Sequence, residues 1–101
     1  MSDDPEPFFA PPPFDAVAAR ATLARALREL RLVERGGAFE LDGRPVARAR
    51  VDGATLRLEL ARGAARSPQW ESAAATDHAQ LRRFIDDLKK RVARWSDGRD
   101  D

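Results

Sequence analysis

The sequence predicts an α+β domain in which a helix, a three- or four-stranded antiparallel meander and a second helix form a two-layer sandwich, both helices on one sheet face. Three observations carry this expectation. Apolar residues recur at helical spacing near both ends of the chain, two Asp-Gly pairs divide its middle, and Leu56, Leu58 and Leu60 alternate with Arg57 and Glu59.

Taken in order, residues 1–13 form an acidic arm holding Pro5, Pro7, Pro11, Pro12 and Pro13. Prolines lack amide donors and favour polyproline geometry, so a flexible or extended arm is expected. Phe8 and Phe9 in that arm either pack back on the domain, wait for a partner's groove or stay exposed, the first being the expectation. The single domain then covers residues 14–96, and residues 97–101 are an acidic tail.

The first helix opens at Asp15, whose carboxylate can cap the free amides of the first turn, with Phe14 before it as a staple. Ala16, Ala19, Leu23, Ala26, Leu27 and Leu30 fall on one stripe, and the pattern ends near Arg31 or Leu32. Gly36-Gly37 mark a break. Strands follow at residues 38–41, 45–51 and 55–60, separated by Asp42-Gly43 and Asp52-Gly53, because Asp-Gly readily takes the positive φ of tight hairpin turns. A two-residue turn at Asp52-Gly53 sets Ala49 opposite Leu56 and Ala47 opposite Leu58, small against large on the inner face. At Asp42 a three-residue loop is expected, since it pairs Phe39 with Ala47 inside; a two-residue turn would put Phe39 opposite Val46 on the outer face. Residues 68–74 can add an edge strand presenting Trp70, Pro68 suiting only a strand start or an edge. Asp77 and Gln80 read as an N-cap and capping box for the second helix, whose inner line is Leu81, Phe84, Ile85, Leu88, Val92 and Trp95.

Composition narrows the function classes. The 101 residues suit one small domain with a thin core. With no cysteine, disulfide scaffolds, Cys-ligated metals and cysteine nucleophiles are excluded. No apolar run approaches the roughly 20 residues that span a bilayer, and the N-terminus is acidic where a secretory signal is basic then apolar. A cytoplasmic protein without membrane contact is the expectation. The only histidine, His78, beside Asp77, has no partners for a metal site and no serine to activate. No catalytic motif, cofactor or small-molecule substrate is indicated, so the chain reads as no enzyme.

Charge is the informative remainder. Residues 1–15 carry −4, residues 16–95 carry +7 from 17 Lys and Arg against 10 Asp and Glu, and residues 96–101 carry −2. A basic body is thus flanked by acidic segments able to compete for its surface. Sixteen of the 18 basic residues are Arg, a bias that GC-rich coding produces without selection. In the expected register Arg48 directly opposes Arg57 with Arg50 two residues along, an opposition that calls for compensation by Glu59 and Glu40 or by an anion. On the second helix, Asp86 with Lys90 and Asp87 with Arg91 make the basic residues a solvated, self-paired face. The Thr76-Asp77-His78 turn that opens this helix presents a carboxylate where a phosphate-gripping turn needs cations.

The leading expectation is a non-enzymatic domain binding an unknown protein or a second copy of itself through the open sheet face and the arm, with Val46, Phe8 and Phe9 in the contact. The alternative is weak, sequence-independent nucleic-acid or polyanion binding by Arg48, Arg50, Arg57, Arg62 and Arg66, modulated by the acidic tails.

Overall fold

The computed structural model describes residues 13–98; Phe8, Phe9, the prolines before Pro13 and the acidic residues after Gly98 lie outside the described residues. Helix α1 (Ala16–Glu29) begins where Asp15 accepts hydrogen bonds from the amides of Val17 at 3.0 Å and Ala18 at 3.3 Å. It buries Ala16, Ala19, Leu23, Ala24 and Leu27. Ala24 joins the buried arc and Ala26 is only half-buried, because α1 lies against both the sheet and the second helix and so buries a wider arc than one stripe. The helix ends in a Schellman motif: the amide of Leu32 donates to the carbonyl of Leu27, that of Arg31 to the carbonyl of Arg28, and Arg31 takes φ 68°.

Five strands follow where three or four were expected: β1 (Val33–Arg35), β2 (Ala38–Leu41), β3 (Arg44–Asp52), β4 (Thr55–Ala61) and β5 (Trp70–Ala75), an antiparallel meander in chain order. The unexpected β1 has three residues, all exposed, and hairpins onto β2 through Gly36-Gly37. Two strand-turn expectations are corrected. The β2–β3 connection is the two-residue turn Asp42-Gly43, with φ of 52° and 81°, the two positive values of a type I′ turn. Phe39 nevertheless pairs with Ala47 because a bulge between Phe39 and Glu40 in the ladder adds a residue on β3. Val46 and Ala47 are adjacent yet both fully buried, which removes Val46 from any surface contact. The β3–β4 turn is Gly53-Ala54, with Gly53 at φ 62° in the position a type II′ turn gives to glycine. Asp52 becomes a strand residue, and the register slides by two: the same residues face inward, but Arg48 opposes Glu59, Ala49 opposes Leu58 and Arg50 opposes Arg57.

Helix α2 (His78–Gly98) opens at the expected cap, Asp77 accepting from the Gln80 amide at 2.8 Å, but the Gln80 side chain accepts from the Thr76 amide at 2.7 Å, one residue before the cap amide that a capping box engages. It includes residues 97 and 98 of the expected tail, since Gly98 is its last residue and nothing before it breaks the helix. Its buried line is Leu81, Phe84, Leu88 and Val92, with Ile85 and Trp95 packed beside it. Of the two expected pairs along this helix, Asp87 meets Arg91 at 3.1 Å, whereas Asp86 and Lys90 make no ion pair among the described residues. Neither helix is long and apolar enough to cross a membrane.

α1 packs on β1, β3 and β4, α2 packs on β5, and the helices touch. Their apolar residues and the inner face of the sheet make one core cluster centred on Phe39, Leu23, Leu27, Leu56, Leu58 and Leu88. No polar or charged residue is buried among the described residues, so ion pairs at the rim join the layers. Arg20 on α1 reaches Glu34 on β1 at 2.7 Å and lies over the Phe39 ring. Arg91 on α2 donates to the Ala61 carbonyl at 3.1 Å, to Glu71 at 3.0 Å and to Asp87 at 3.1 Å.

Two substitutions of opposite sign follow. Phe39→Ala removes a fully buried ring and is expected to cost about 3–5 kcal/mol. Arg31→Gly relieves a non-glycine residue held at φ 68° and is expected to add up to about 1 kcal/mol. Urea midpoints at constant m-value measure both.

Candidate functional site

Strand alternation sends one set of side chains away from the helices, and the register sets their neighbours. Arg48, Arg50 and Asp52 from β3, Arg57 and Glu59 from β4, and Trp70, Ser72 and Ala74 from β5 share this outer face. Arg48 meets Glu59 at 2.8 Å and Arg57 meets Asp52 at 3.1 Å. Glu59 meets Arg48 as the sequence led us to expect, whereas Glu40 faces Arg35 at 3.6 Å, and the observed turn removes the direct Arg48–Arg57 opposition. The like-charged opposition that remains is Arg50 across from Arg57, and Asp52 offsets it. Arg50 is exposed and has no ion pair among the described residues.

The Arg48 guanidinium lies 4.1 Å from the centroid of the Trp70 ring, and its Nε is buried without a hydrogen-bond partner. Stacking on one side and Glu59 on the other commit this cation to the fold. Trp70 is only half-buried, and its role as the platform for Arg48 was not foreseen. Finding it requires the register of β5, which places Trp70 opposite Ala61 and so beside the β3 arginines.

A groove of about 650 Å³ runs over this face, lined among others by Gly37, Arg48, Arg50, Arg57, Glu59 and Ser72. It unites three of the five expected arginines. Arg62 and Arg66 stand apart in the β4–β5 loop, which the Arg62 amide closes onto the Gln69 carbonyl; Arg62 faces Glu71 at 3.8 Å and Arg66 is exposed. The groove therefore holds Arg48, Arg50 and Arg57 together with Asp52 and Glu59, a mixed field in which Arg50 has no ion pair among the described residues.

On the helix side, a second groove of about 320 Å³ lies between β5 and α2, with Leu58, Leu60 and Phe84 as its apolar lining and Gln80, Arg83 and Asp87 as polar wall. Beside it, burial would lower the Arg91 guanidinium, but its bonds to Glu71 and Asp87 outweigh this and hold it above the usual arginine value. Arg91 is a permanent cation and a fastener between α2 and β5. His78 is exposed and stands edge-on to Phe14 with ring centroids 5.4 Å apart. No group of three or more His, Cys, Asp or Glu able to hold a metal occurs among the described residues.

Comparison with known proteins found no family model, curated protein or solved structure that matches this chain.

The two neighbouring arginines are expected to separate experimentally. Arg48→Ala loses a cation–π stack and a half-exposed ion pair, costs about 1 kcal/mol and changes the Trp70 emission. Arg50→Ala stays within about 0.5 kcal/mol of the parent and leaves the emission unchanged. Urea titration followed by tryptophan fluorescence reads both.

Proposed function

We propose that this chain is a small non-enzymatic domain that binds a protein partner across the outer face of its sheet. The observation that carries the reading is the groove of about 650 Å³ on a face that neither helix covers, where Arg50 has no ion pair among the described residues and stands amid two closed ion pairs. A surface of alternating sign, with Arg50 outside its ion pairs among the described residues, matches a protein segment that brings a carboxylate to Arg50 and polar groups to Glu59 and Ser72. Such complementarity favours specificity over bulk attraction. Trp70, amphipathic and half-exposed at one end of the face, supplies the aromatic anchor common in protein interfaces.

Polyanion binding fits less well. A phosphate backbone laid over Arg48 and Arg57 meets Glu59 and Asp52 at the same time, and each such carboxylate lowers the number of counterions released. Arg62 and Arg66, which would extend a basic track, belong to a loop outside the groove.

Two measurements test the proposal. Amide spectra recorded at low salt with a short mixed DNA duplex are expected to leave Arg48, Arg50 and Arg57 unmoved. A photo-crosslinking residue at Arg50 is expected to capture discrete proteins that the same residue at the exposed Arg28 of α1 does not. Duplex-induced shifts at the three arginines that vanish with added salt would replace this reading with polyanion binding.

A further inference from the structure

The two edges of the sheet are managed differently. The β1 edge is three residues long and sends the Glu34 carboxylate back to Arg20, a short, charged edge that resists pairing. The β5 edge is six residues long and, among the described residues, pairs with β4 alone. It holds no proline and only Glu71 as a charge, and Ser72, Ala73 and Ala74 are exposed. Ala73 lies opposite Leu58 on the inner face, so its exposure shows that α2 leaves this margin of the sheet uncovered.

The hydrogen-bond phase of this edge follows from the loop that precedes it. The Arg62 amide donates to the Gln69 carbonyl at 2.9 Å, and bonded and non-bonded pairs alternate along an antiparallel ladder. Leu60 with Glu71 and Leu58 with Ala73 are therefore bonded pairs, whereas Trp70, Ser72 and Ala74 turn their amides and carbonyls away from β4. These are the groups that the edge offers to another strand.

We propose that this edge binds a second copy of the chain, β5 pairing antiparallel with the partner's β5 about a two-fold axis at Ser72, so that two sheets become one. Three observations single out this occupant. In that register Ser72 meets the partner's Ser72 and Trp70 meets the partner's Ala74, and every outward amide and carbonyl of Trp70, Ser72 and Ala74 is satisfied. An axis at Ala73 would instead set Trp70 against the partner's Thr76, whose amide is already held by Gln80. The side chains are self-complementary as well: bulky Trp70 falls beside the partner's Ala74, Glu71 falls beside the partner's Ala73, and no like charges are opposed. Charge supplies the third observation. Helix α2 runs back along β5, starting just after Ala75 and reaching Glu71 through Arg91, so Arg83 stands nearer Ala73 and Ala74 while Asp87 stands nearer Glu71. Arg83 is exposed and makes no ion pair among the described residues, and the side chains of Glu71 and Asp87 remain 42% and 49% exposed despite their bonds to Arg91. The axis sets the partner's Glu71 opposite Ala73, which brings Arg83 of each copy to the carboxylates of the other. Arg48, Arg50 and Arg57 take no part, so the inference stands apart from the proposed function.

In sedimentation velocity the full-length chain is expected to double in mass as its concentration rises. Ser72→Pro removes an amide that faces outward, so it should keep the β4–β5 ladder and hold the chain monomeric at the same concentrations. Arg83→Glu should weaken association by about tenfold. The chain contains no cysteine, so Ser72→Cys and Ala73→Cys each carry a single thiol. Opposed Cα atoms in a bonded pair lie about 5.5 Å apart, within disulfide reach, whereas the two copies of residue 73 are diagonal neighbours roughly 7–8 Å apart. Mild oxidation is expected to link Ser72→Cys into a covalent dimer and to leave Ala73→Cys unlinked. A chain that stays monomeric throughout, a dimer that survives Ser72→Pro, or linking at residue 73 as fast as at residue 72 would overturn the proposal, the first in favour of an edge covered by another segment or another protein.

Discussion

The Gly53-Ala54 turn decides which residues of β3 and β4 meet, and the character of the outer face depends on that choice. With glycine in the first turn position, Asp52 stays in the strand and reaches Arg57, and Arg48 comes to face Glu59. A turn one residue earlier would keep every leucine inward, because a slide of two residues preserves the face, yet it would oppose Arg48 to Arg57. Core burial alone therefore does not distinguish the two registers. The difference lies on the solvent side: either register sets one pair of arginines opposite each other, and the observed one closes two ion pairs around it, Arg48 with Glu59 and Arg57 with Asp52.

The same division of labour runs through the molecule. The core is wholly apolar among the described residues, so it is non-directional and tolerates sliding. Directional contacts at its rim supply the alignment: Arg20 to Glu34 fastens α1 over the β1 edge, and Arg91 joins α2 to the Ala61 carbonyl and Glu71. Within the sheet, the bulge near Val46 performs a similar task, letting a tight two-residue turn coexist with an inward Phe39.

Much of this was legible in the chain, for physical reasons that also explain the gaps. Asp15, Asp77 and Gln80 announced the helix starts because capping is chemistry between near neighbours. The leucines of β4 announced the inner face because alternation is local. β1 was invisible: its apolar Val33 is 55% exposed, so three residues showed no pattern to read. Whether Asp-Gly sits centrally in a turn, or its Gly alone does, is settled by the ladder on either side, and the same holds for the bulge. Of the candidate site, alternation placed Arg48, Arg50 and Arg57 on one face; the Trp70 stack and the separation of Arg62 and Arg66 needed the path of a loop that local pattern does not specify.

Cross-strand backbone NOEs between β3 and β4 test most directly the claim that the outer face is closed by the ion pairs Arg48–Glu59 and Arg57–Asp52. The account predicts contacts joining Arg48 with Glu59 and Arg50 with Arg57. Contacts joining Arg48 with Arg57 would contradict it, restoring an uncompensated basic face whose natural ligand is an anion.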